Sequence, residues 1–246
     1  MATDDKPTET ADHLQARICG FLSQRLGIRK LGILTVALLA VGGIWLFIEL
    51  ADEMIEGQTR ALDEKLITAL RHPDDLSDPI GPKWLEEVGR DITALGSLGI
   101  LALLIFAVAG FLTLQQKKRS AIFIVAAIAG GVLISALLKS GFDRPRPDLV
   151  PHGAHVYTAS FPSGHAALSA VAYLTLAAFL AQAQSRRRVK MYLIIVALLI
   201  TAAAGASRIY LGVHWPTDVL AGWTLGVSWA LLSWLVARWL QQRGSM

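Results

Sequence analysis

Six long apolar runs constrain this chain more than any other feature. They lie at about 31–50, 92–114, 120–138, 165–182, 190–206 and 218–238. Runs of roughly 17–25 apolar residues match the hydrocarbon thickness of a bilayer when wound as helices. Helices also satisfy their own backbone polar groups, as lipid requires. The expected architecture is therefore an all-α integral membrane six-helix bundle. Composition agrees, with 54% of the 246 residues apolar and only 17% charged. The spans fill most of 31–240 and leave no room for a second folded domain. Residues 1–30 form an N-terminal segment, expected to be disordered over the polar stretch 1–12. The first run starts well inside the chain and is longer than the ~7–15 residues of a cleavable signal core, so it reads as a retained helix.

Charge follows topology. Arg25, Arg29 and Lys30 precede the first span, and Lys117, Lys118 and Arg119 lie between the second and third. Arg186, Arg187, Arg188 and Lys190 lie between the fourth and fifth, and Arg238 and Arg243 follow the last. All four segments fall on one side of a six-span protein, and the positive-inside rule makes that side the cytoplasm. The net charge of +4 is thus a matter of orientation and does not indicate a nucleic-acid partner. The segment 51–91 carries eleven acidic against five basic residues and belongs outside. Both termini are then cytoplasmic. The single Cys19 excludes an intramolecular disulfide and a multi-cysteine metal site.

Within 51–91, Ile55, Leu62, Leu66 and Leu70 recur near helical spacing, as in an amphipathic helix lying at an interface. "HPDDLSDPIGP" breaks it. Trp84, Leu85, Val88 and Ile92 then resume a helical stripe into the second span. A gate for lipid entry and a plain surface cover are both open readings of this segment.

Three polar clusters interrupt the apolar pattern: "KSGFDRPRP" at 139–147, "FPSGH" at 161–165 and "SRIYLGVHWPTD" at 207–218. They sit where spans three, four, five and six meet the outer face, so they can converge without crossing the bilayer. Arg146 and Arg208 offer planar forks for phosphate oxygens, and Lys139 adds a point charge. Ser163 and Gly164 precede a helix whose free N–H groups attract anions. Three fixed cations suit an anion with at least two charges, such as a phosphoryl group. His214 and Asp218 are four apart. A helix beginning near Pro216 brings the carboxylate to the imidazole and fixes its tautomer. His214 can then attack phosphorus, with His165 serving as general acid and later as base. Singly, each feature has a plainer reading: an Arg at a helix end is an interface anchor, and His-x-x-x-Asp a surface pair. Three such clusters on one face point to a functional site.

These residues resemble the type 2 phosphatidic acid phosphatase (PAP2) family, relatives of the vanadium haloperoxidases. The family pattern K-x6-R-P, P-S-G-H and S-R-x5-H-x3-D is met by Lys139 with Arg146 and Pro147, by Pro162 to His165, and by Ser207, Arg208, His214 and Asp218. The resemblance implies His214 as the nucleophile of a phosphohistidine intermediate, oriented by Asp218, with His165 as acid and base. Lys139, Arg146, Arg208, Ser163 and Gly164 would hold the phosphate, with no metal and no cofactor. Arg144 lies outside the strict motif and reads as a rim residue. His152 and His155 also lie outside it. The implied substrate is a lipid phosphate or diphosphate, with phosphatidic acid, phosphatidylglycerol phosphate, undecaprenyl diphosphate and a lipid A phosphate all presenting the same group. The compact form of the chain leads to the expectation of an inner bacterial membrane, and the charge count to that of an extracytoplasmic active site. A lipid phosphotransferase and a non-catalytic lipid-phosphate binder or transporter are the alternatives.

Overall fold

The computed structural model describes residues 8–148 and 159–244, and their side chains from Lys30 onward. His152, His155 and the side chain of Cys19 lie outside these described residues. Of the stretch expected to be disordered, the part from Thr8 is helical.

Helix α1 (Thr8–Ile55) is broken at Gly27, where φ is 64°; its apolar part, Lys30–Ile55, is the first span. Helix α2 (Arg60–Thr68) follows, then a hairpin of β1 (Arg71–His72) and β2 (Asp75–Pro79). The second span is bent by 48° between α3 (Lys83–Ala94) and α4 (Leu98–Leu114). Ser97 caps α4 by accepting the Ile100 N–H, which satisfies one of the orphan donors of a new helix start. Span three is α5 (Lys118–Gly141). Span four is α6 (Gly164–Ser169) and α7 (Thr175–Gln182), joined by a π-helical turn over Ala170–Leu174. Spans five and six are α8 (Arg187–Tyr210) and α9 (Pro216–Gln242). Five of the six expected spans are present as helices long and apolar enough to cross a bilayer, and the bent pair α3–α4 makes the sixth when counted as one span. The hairpin was not foreseen; "HPDDLSDPIGP" turns back on itself instead of only ending a helix.

The outside of the bundle is greasy, as a lipid-facing surface is: Leu38, Leu103, Phe106 and Ile122 are all exposed. The inside is built from small residues. A Cβ on Gly222 would lie 2.6 Å from the Ser163 carbonyl oxygen, and one on Gly226 2.5 Å from Ala170 Cβ. This small-xxx-small pair brings α9 and α6 backbone to backbone. It sets the start of span four beside the start of span six, which is where two of the polar clusters lie. Gly205 admits the Trp223 ring in the same way, its added Cβ meeting the indole at 2.5 Å. The indole N–H is satisfied by the Thr201 carbonyl. Phe161 is fully buried between Phe47 and Phe142, with ring centroids 5.8 and 4.9 Å away. It anchors the segment leading into α6.

Candidate active site

The site is assembled from helix ends. Lys139 sits in the last turn of α5, Ser163 immediately precedes α6, Arg208 lies in the last turn of α8, and Asp218 in the first turn of α9. The α8–α9 link is short because Gly212 takes a positive φ of 67°, a conformation that suits a residue without Cβ. Pro216 opens α9, as the sequence predicted. Asp218 then accepts the Trp215 backbone N–H at 3.0 Å, so its carboxylate caps its own helix.

The same carboxylate faces the histidine. His214 Nδ1 lies 3.4 Å from Asp218 Oδ2, and Ser160 Oγ donates to that oxygen at 2.5 Å. On the other ring edge, Arg146 Nη1 is 3.2 Å from His214 Nε2 and donates to the Val213 carbonyl at 2.9 Å. Proton on Nδ1, facing the carboxylate, leaves the Nε2 lone pair toward the cation. Burial pushes the His214 imidazole down to about 3, against the pull of Asp218 and with help from Arg146 and Arg208. The ring is therefore neutral, as a nucleophile has to be. His165 is close enough to Arg208, Lys139 and Arg146, and Lys139 to Arg146, Asp218 and Arg208, for these charges to act on one another. All eight predicted site residues thus belong to one neighbourhood. Ser163 Oγ and Arg208 Nε are buried there without a hydrogen-bond partner among the described residues. Unpaired buried donors are costly, and these two point to an anionic guest. Arg208 is steadied through Nη1 on Thr93 Oγ1 at 3.1 Å.

Arg144 corrects one expectation. It is not a rim residue, since its side chain is only 10% exposed and bridges two carboxylates. Nη1 donates to Asp218 Oδ1 at 2.6 Å and Nη2 to Asp63 Oδ2 at 2.6 Å. Asp63, on α2, is fully buried and also accepts the Thr217 N–H and hydroxyl, at 2.9 and 2.6 Å. The segment 51–91 is accordingly part of the site's wall. Arg71 strengthens the tie by donating to the Tyr210 carbonyl at 2.7 Å, and Tyr210 returns a bond to the Ile80 carbonyl at 3.0 Å. The apolar stripe through Leu62 and Leu66 faces outward while Asp63 and Ile67 face in. Ser160, Asp63 and Thr93 are the participants that motif reading missed. No group of three or more His, Cys, Asp or Glu that could hold a metal occurs among the described residues.

A family model described as the PAP2 superfamily matches residues 120–242, half of the chain and all three polar clusters. The chain belongs to this family. Among PAP2 relatives, phosphatidylglycerophosphatase B of Bacillus subtilis is 36% identical over 147 residues, 58% of this chain and 71% of that protein. A lipid A 1-phosphatase of Rhizobium etli is 27% identical over 186 residues, 64% of this chain and 75% of that one. An undecaprenyl-diphosphatase of Sulfolobus acidocaldarius is 36% identical over 110 residues, 44% of this chain and 47% of that one. The fold agrees with the crystal structure of a transmembrane PAP2-type phosphatidylglycerolphosphate phosphatase from Bacillus subtilis. Its TM-score is 0.70 at 29% identity, covering 83% of this chain and 96% of that one.

Proposed function

We propose that this PAP2 protein hydrolyses the phosphate or diphosphate group of a membrane lipid through a phosphohistidine on His214. The observation that carries the reading is the histidine's own setting. One ring nitrogen faces Asp218 at 3.4 Å and the other lies 3.2 Å from a guanidinium. A phosphoryl group drawn to Arg146, Arg208, Lys139, Ser163 Oγ and the N–H groups at the start of α6 has its phosphorus presented to Nε2. The N–P bond forms as the P–O bond to the lipid breaks, and His165 gives the leaving oxygen its proton. His165 then takes a proton from water, whose oxygen displaces the His214 nitrogen and releases inorganic phosphate. The Nδ1 proton stays with the His214–Asp218 pair throughout. Charge on the transferring group is met by Lys and Arg, so no metal is assigned a role.

The headgroup has room beside these residues. A cavity of about 310 Å³ opens between Met54, Thr59, Arg60, Arg146 and Trp215. The basic segments lie at the opposite end of the bundle, which supports an extracytoplasmic site in a plasma membrane. Phosphatidylglycerol phosphate leads the substrate candidates by the relatives' names, ahead of undecaprenyl diphosphate, lipid A phosphate and phosphatidic acid. Phosphate release by the purified protein over these four lipids, with His214→Ala as control, is the test. Release from at least one, abolished in the variant, is expected. Undiminished release by folded His214→Ala overturns the mechanism.

A further inference from the structure

Two apolar clefts of similar size open between the spans. One, of about 440 Å³, lies among α4, α7 and α8 and is lined by residues such as Phe111, Tyr173, Leu176 and Val196, with no charged side chain. The other, of about 420 Å³, lies among α1, α7, α8 and α9 and carries Lys190 and Arg238 beside Val36, Ala181, Ile194 and Trp234. It is at the far end of the bundle from the active site: Lys190 is in the first turn of α8 and Arg238 in the last turns of α9, whereas Arg208 and Asp218 occupy the other ends of these helices.

The two cations are available to a ligand. Arg238 lies 5.4 Å from the centroid of the Trp234 ring, and its buried Nε has no hydrogen-bond partner among the described residues. Neither Lys190 nor Arg238 forms a salt bridge among those residues. Along α9 the cleft runs from Val227 to Arg238, about 16 Å at the helical rise, which suits part of an acyl chain. An apolar trench ending in two unneutralised cations is complementary to one kind of molecule in a bilayer, an anionic phospholipid. The uncharged cleft has no such preference.

We infer that the Lys190–Arg238 cleft binds one anionic phospholipid of the leaflet opposite the active site, its headgroup phosphate on the two cations and an acyl chain along Val36, Ile194 and Leu231. This is a site separate from the reaction centre, and it holds its lipid without turning it over.

The test uses the full-length protein in nanodiscs of equal phosphatidylglycerol and phosphatidylcholine, with retained lipid counted by native mass spectrometry after gentle release. One phosphatidylglycerol should be kept in preference to phosphatidylcholine by on the order of tenfold, the scale set by two cations at a headgroup. The Lys190→Gln, Arg238→Gln variant should lose the preference. An Arg187→Gln, Arg188→Gln variant, which removes exposed charge at the same end, should keep it. Ala181→Phe, which fills the cleft and leaves both charges, should expel the lipid. Equal retention of the two lipids by the unaltered protein, or loss of preference in both charge variants alike, overturns the proposal. Preference that survives Lys190→Gln, Arg238→Gln also overturns it.

Discussion

The two halves of the active site are built on opposite rules. Around Asp218 every polar group is engaged: Arg144 joins Asp218 to Asp63, Thr217 joins Asp63 twice, and Ser160 and Trp215 close the remaining acceptor positions. Around Arg208 donors are left open, with Ser163 Oγ and Arg208 Nε buried and unpaired among the described residues. The first half is a scaffold that fixes His214 before substrate arrives. On the proposed function, the second is completed by the phosphate of the substrate. Substitutions in the first should therefore cost stability as well as rate, whereas those in the second should cost rate alone.

The largest effect is expected at the junction of the halves. His214→Ala should lower kcat by roughly 10⁴-fold or more, read as phosphate release by folded protein. Next comes Arg144→Met. Removing it leaves two buried carboxylates without their shared cation, a loss of about 3–5 kcal/mol for a broken buried pair. Thermal unfolding in detergent should show a large fall or failure to fold, and a variant as stable as the parent would break the comparison from the scaffold side. Arg208→Ala should lower kcat/KM by roughly 10²–10³-fold, the scale of a lost donor to transition-state charge, with unfolding temperature unchanged or raised. A clear loss of stability there would break it from the other side. Ser163→Ala sharpens the same contrast at smaller scale, with about a tenfold loss in kcat/KM and no destabilisation.

The smallest effect concerns acid. Burial holds the His214 pKa near 3, well below its ordinary 6.5. The folded state therefore binds this proton less readily than the unfolded chain does. Its contribution is fully present above about pH 6.5 and is lost as pH falls toward 3. The unfolding temperature should drop over that window, and His214→Gln should flatten the decline.

Much of this was legible in the sequence because its signals are local. Hydropathy marked the spans, the bent pair α3–α4 counted as one, and the spacing of Lys139 with Arg146 and of His214 with Asp218 marked residues that the fold brings together. Asp63 was not legible. It is one of eleven acids in 51–91, and its partners Arg144 and Thr217 are 81 and 154 residues away. Arg144 was misjudged for the same reason: alternating with prolines in "DRPRP", it looks like a mouth residue until α2 folds over it. The hairpin at Arg71–Pro79 is too short and too polar to carry a strand pattern.

The capping role of Asp218 ties manufacture to function. One carboxylate oxygen closes the N-terminus of the last helix and faces the His214 imidazole, while the other receives a cation that reaches back to α2. The first turn of the final span and the setting of His214 share this one carboxylate, so on the proposed mechanism a chain whose last span has not docked is expected to lack an ordered nucleophile. On the proposed mechanism, activity therefore depends on the last span having docked, and a partly inserted chain is expected to be inactive toward the lipids around it.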